Sequence, residues 1–98
     1  MFRCVIARNP VIDLAAMAPV TDIPDWTFTE VGEQYNAVTS LPLNVSDLEL
    51  MKNMSPVAYI DRIACPFLLM VGDKDLRVPP SQGYSFYYAL KARGKDVE

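Results

Sequence analysis

The sequence predicts an α/β fold in which parallel strands are joined by helical crossovers. Two short apolar runs, Phe2 to Ala7 and Phe67 to Val71, have the composition of strands buried on both faces, without the alternation of a half-exposed strand. Helix signals occupy the residues between and after them, and parallel strands require crossovers of that kind. Two strands make only part of such a sheet, so the fold is expected to be incomplete.

The first strand is closed by Asn9-Pro10. Val11 to Pro19 is apolar apart from Asp13. Thr21-Asp22-Ile23-Pro24 combines candidate N-cap residues with a proline suited to a first helical turn, predicting a short helix from Pro24 to Val31 that stops at Gly32. Residues 33 to 45 have no clear period and read as loop. Ser46-Asp47-Leu48-Glu49 fits a capping box, in which serine oxygen and glutamate carboxylate satisfy opposite backbone donors at a helix start. Ser55-Pro56 opens a further turn, and Pro66 and Gly72 bracket the second strand. Ser81 to Ala92 is the longest helical pattern, with Gly83, Tyr87 and Leu90 on one line and Tyr84 and Tyr88 beside them; Gly94 is its candidate stop.

Composition narrows the function classes. With 98 residues, 51% hydrophobic and 21% charged, the chain has room for one domain at most. A net charge of −3 with no basic cluster argues against nucleic acid, and no apolar run approaches the roughly 20 residues of a membrane span. Met1 to Ile6 lacks the apolar core and cleavage site of a signal peptide, so a cytoplasmic location is expected and Asn44-Val45-Ser46 reads as a chance sequon. Cys4 and Cys65 are too far apart for a C-x-x-C site and read as packed free thiols, a reactive or bridged pair being the alternative. There is no histidine, so a histidine base or metal ligand cannot come from these residues.

The densest polar feature is Gly72-Asp73-Lys74-Asp75-Leu76-Arg77-Val78-Pro79, directly after the carboxyl end of the second strand, the edge at which sites collect in open α/β sheets. Read alone, Asp73 and Asp75 also fit a solvated turn with a carboxylate capping the next helix. As a calcium loop the segment fails, since Val78 stands where the sharp-turn glycine belongs and Tyr84 where the bidentate glutamate belongs. No metal or other cofactor is expected. No G-x-S-x-G serine elbow is present; Gly83-Tyr84-Ser85-Phe86-Tyr87 has tyrosine in place of the second glycine. Trp26 fits either a core anchor or an aromatic pocket wall.

Several of these blocks together resemble the prolyl oligopeptidase family of serine peptidases, in its acylaminoacyl-peptidase branch. The resemblance runs nearly end to end. It rests on Cys4 to Val11 (CVIARNPV), on Thr21 to Trp26 (TDIPDW), on Ser55-Pro56, and on Pro66 to Gly72 followed by Asp75, Arg77, Val78 and Pro79. It implies that residues 1–98 are one partial α/β-hydrolase catalytic domain, an internal fragment of an enzyme that releases N-acylated amino acids from short blocked peptides. The implied chemistry is a Ser-Asp-His triad working through an acyl-enzyme. Asp75 would be the acid member, Arg77 would hold a substrate carbonyl, and Val78, Val11 and Trp26 would line the pocket for the side chain before the scissile bond.

The nucleophile elbow would precede Phe2 and the histidine would follow Val97, so the 98 residues alone are expected to be inactive. A homo-oligomer is open for the full-length enzyme. Two other readings remain: a non-catalytic interaction module that binds through uncovered apolar faces, and a fragment of a related dipeptidyl peptidase or esterase.

Overall fold

Two strands, β1 (Val5–Arg8) and β2 (Phe67–Met70), pair in parallel in the computed structural model, which describes residues 2–98. Met1, included in the N-terminal reading and in the expected 1–98 domain, lies outside the described residues. The register sets Val5 opposite Phe67 and Arg8 opposite Met70. Val97 adds a parallel bridge on the other side of Phe67, its neighbours Asp96 and Glu98 exchanging backbone hydrogen bonds with Phe67 and Leu69. The parallel α/β expectation is met, although β1 starts at Val5 and not at Phe2.

Both strands were expected to be buried on two faces, and that is corrected. Val5, Ala7, Phe67 and Leu69 point inward, whereas Ile6, Leu68 and Met70 are 63%, 39% and 45% exposed. The cause is the placement of the helices. The final helix packs on one face only, where Phe86 meets Phe67 edge-on at 5.6 Å between ring centroids, and among the described residues no layer covers the other.

Between the strands lie α1 (Leu14–Met17), α2 (Asp25–Glu30), α3 (Val45–Asn53) and a 3-10 helix (Pro56–Arg62); α4 (Pro80–Ala92) follows β2. Asp13 caps α1 by accepting from Ala16 N at 3.2 Å. The Gly32 stop is as expected: at φ +79 it lets Glu33 N reach Phe28 O and its own N reach Thr29 O, the paired bonds of a Schellman end. Gly94 does the same for α4 at φ +69.

The capping box does not form. Asn44 caps α3 instead, its Oδ1 accepting from Asp47 N at 2.7 Å, and Ser46 lies inside the helix. Asparagine competes well with serine at this position, so the start moves back two residues. The buried line of α4 is also shifted, to Gln82, Gly83, Phe86 and Leu90, leaving Tyr84 and Tyr88 exposed. Cys4 is exposed, not packed; it and the half-buried Cys65 are both free thiols.

Two apolar clusters form the core. One gathers Leu14, Met17, Phe28, Val31 and Met51, and the other joins Ile12, Ile60, Phe86, Leu90 and Val97 beneath the sheet. Gln82 ties α4 to the segment before α1: its buried Oε1 accepts from Ile12 N (2.9 Å) and Asp13 N (2.8 Å), while its Nε2 donates to Asp13 O (3.0 Å). No described helix is long and apolar enough to cross a membrane.

Candidate active-site loop

The segment from Val71 to Pro79 leaves the carboxyl end of β2 and enters α4 at Pro80. Its turn is built by Asp75. One carboxylate oxygen, Oδ1, accepts from Arg77 N and from Val78 N, both at 3.0 Å, as an aspartate does when it replaces a backbone acceptor in a tight turn. Among the described residues Oδ2 takes no hydrogen bond. The solvated-turn and site readings of Asp75 are therefore compatible, because the turn uses only half of the carboxylate. Asp73 is exposed and takes no part in the turn.

A second segment holds the loop from the side. Thr21 Oγ1 donates to Arg77 O at 2.6 Å, Asp22 N donates to Leu76 O at 3.2 Å, and Arg77 Nε approaches Asp22 Oδ1 at 3.5 Å. Thr21 and Asp22, expected as N-cap residues for α2, are anchors for this loop; Pro24 occupies the cap position with no side-chain bond. The Arg77–Asp22 pair is exposed on both sides, 59% and 39%, and such pairs contribute only about 0–1 kcal/mol. The guanidinium can thus exchange Asp22 for another acceptor at little cost.

An open cleft of about 510 Å³ runs between the two segments, lined by Asp22, Trp26 and Lys74 to Val78. Trp26 borders both the core and the cleft. Its ring packs against the first apolar cluster and also walls the cleft, and among the described residues its buried Nε1–H has no partner. An unpaired buried donor of this kind costs roughly 1–3 kcal/mol. Val78 reaches both the cluster and the cleft. Val11 packs on the same cluster but is not among the residues that line the cleft. The structure thus brings Asp75, Arg77, Val78 and Trp26 together and sets Val11 behind them. Asp22 and Thr21 are the members that sequence reasoning missed; their contacts with the loop join residues more than 50 positions apart, beyond any local signal.

Comparison with known proteins decides the family. The model of the prolyl oligopeptidase family matches residues 1–98.

The chain belongs to the prolyl oligopeptidase family.

It is 47% identical over 96 residues to the acylamino-acid-releasing enzyme of Mus musculus and 41% identical over 97 residues to that of Arabidopsis thaliana. Those alignments cover 98% and 99% of this chain and 13% of each relative, so the chain spans about an eighth of the curated relatives it matches. Among solved structures it superimposes on the acylaminoacyl peptidase of Pyrococcus horikoshii with a TM-score of 0.77 and 27% identity, covering 98% of this chain and 14% of that one. The parallel strands and flanking helices are accordingly part of an α/β-hydrolase fold, and the family is one of serine-type hydrolases.

Proposed function

We propose that these 98 residues supply the acid member and the substrate-carbonyl anchor of a serine exopeptidase that releases N-acylated amino acids from blocked peptides. The serine and histidine would come from sequence outside them. The observation that carries this reading is the divided carboxylate of Asp75, a residue that lines the cleft: Oδ1 is held by two backbone N–H groups of its own loop, and Oδ2 takes no hydrogen bond among the described residues. A carboxylate held in that way can accept Nδ1–H from a histidine, fix its tautomer and stabilise the imidazolium that forms as the serine attacks. The acyl-enzyme so produced would then be hydrolysed by water with the same histidine as base.

Arg77 stands beside it with a loosely paired guanidinium suited to a carbonyl oxygen. Val78 and the ring of Trp26 provide the apolar wall for the acylated residue's side chain. Both cysteines are unpaired, which suits a reducing compartment such as the cytoplasm.

The test is Asp75→Asn in the full-length enzyme. The fold should be kept, while turnover of an N-acetyl-amino-acid anilide should fall by up to about ten-thousandfold, the size of effect seen when the acid of a Ser-His-Asp triad loses its charge. Unchanged turnover would remove Asp75 from the triad.

A further inference from the structure

We propose that Asn9 is a positioning residue for this site: its side-chain amide replaces the last rung of the sheet and thereby holds the start of the loop that carries Asp75. The proposal deepens the reading of Asp75 as the triad acid and rests on it for its catalytic consequence.

The hydrogen-bond pattern of the sheet leads to this assignment. Val5 N donates to Pro66 O, and two steps of two along β1 bring Asn9 N to Met70 O at 2.8 Å. In a parallel ladder the same residue's carbonyl would next accept from Gly72 N. It does not. Asn9 has a φ of +42, which breaks the ladder at that point, and Asn9 Oδ1 accepts from Gly72 N in place of the carbonyl, at 2.5 Å. Asparagine suits the exchange, since it tolerates the left-handed region better than most residues and carries an amide oxygen at the right reach. Gly72 is matched to it: a Cβ there would lie 3.2 Å from Asn9 Nδ2 and 3.3 Å from Oδ1, so the amide lies against the backbone where a side chain would stand.

Asn9 bears on the two segments that leave this edge of the sheet, one after β1 and one after β2. The turn at Asn9 redirects the chain into Pro10, Val11 and Ile12, and Gln82 of α4 accepts from the N–H groups of Ile12 and Asp13. The loop from Val71 to Pro79 is therefore gripped at its start by Asn9, in its middle by Thr21 and Asp22, and at its far end by α4. Asp75 lies three residues beyond the first grip. Loosening that grip would displace the carboxylate from the histidine it orients, and a misplacement of about 1 Å can cost up to about a hundredfold in rate.

The experiment compares Asn9→Gly, Asn9→Asp and Gly72→Ala in the full-length enzyme, reading kcat and KM on an N-acetyl-amino-acid anilide and amide hydrogen exchange over residues 72–78. Asn9→Gly keeps the left-handed backbone and removes the acceptor. It should lower kcat about ten- to a hundredfold with KM little changed, and should speed exchange in the loop. Asn9→Asp keeps the acceptor and should restore most of kcat and the slow exchange. If Asn9→Gly does not fold, Gly72→Ala, which crowds the amide without touching the Asn9 backbone, should reproduce the kcat loss. Full kcat and normal exchange in folded Asn9→Gly, or no rescue by Asn9→Asp, would overturn the proposal. Asp75→Asn run in parallel separates the two ideas: if it stays active while loop exchange follows the Asn9 series, the Asp75 reading fails and the loop-holding role of Asn9 stands.

Discussion

Arg77 shows how much a single residue's surroundings decide. Its backbone N–H belongs to the Asp75 turn, its carbonyl is tied to Thr21, and only its guanidinium is loosely engaged, with Asp22. The backbone is therefore fixed while the charged head stays exchangeable, the combination a substrate anchor needs. In the full-length enzyme Arg77→Ala should raise KM for an N-acetylated peptide about tenfold or more, since a charge-assisted hydrogen bond contributes roughly 1.5–3 kcal/mol, with kcat less affected. An unchanged KM in steady-state kinetics would exclude the guanidinium from substrate binding. The loop that holds Asp75, Arg77 and Val78 stood out in the sequence as one short polar run after an apolar strand. Asn9 and Gln82 did not, because the side chain of each bonds to backbone more than 60 positions away.

At the scale of elements, the strands and the long helix were legible from runs and punctuation, and their faces were not. Gly83 explains how close α4 comes to the end of β2. A Cβ at Gly83 would lie 2.5 Å from Val71 Cγ2, and Val71 is stiff at χ1, so a methyl group cannot be absorbed by a side-chain swing. Overpacking of that kind costs about 1–3 kcal/mol and the gain in helix propensity returns about 1, so Gly83→Ala should destabilise the fold by up to about 2 kcal/mol. The measure is the unfolding midpoint, read in the wild type and in a Val71→Ala background. With the valine trimmed, the same alanine should be neutral or stabilising; an equal loss in both backgrounds would place the cause elsewhere. The capping box expected at Ser46 did not form because Asn44, two residues earlier, caps the helix with its own side chain.

At the scale of the whole molecule, the helices cover one face of the sheet and leave Ile6, Leu68 and Met70 on the other. Contiguous apolar surface and open strand edges of this kind drive association. The 98-residue polypeptide by itself should therefore self-associate in sedimentation experiments, and a monodisperse, cooperatively melting monomer would contradict that. It should also turn over an N-acetyl-amino-acid amide no faster than background, because it contains neither a histidine nor a serine elbow. Activity in the purified polypeptide would overturn the assignment of the missing groups to other parts of the enzyme.

By itself the sequence determined the parallel α/β class, the family and the loop that carries the candidate acid. Those depend on runs of apolar residues, turn residues and short motifs, whose physics is local. Only the tertiary structure decided which strand face is covered, that Trp26 serves core and cleft at once, and that Thr21, Asp22 and Asn9 hold the loop. Those depend on hydrogen bonds and packing between residues far apart in the chain, and no spacing within a segment encodes which distant partner a side chain will meet.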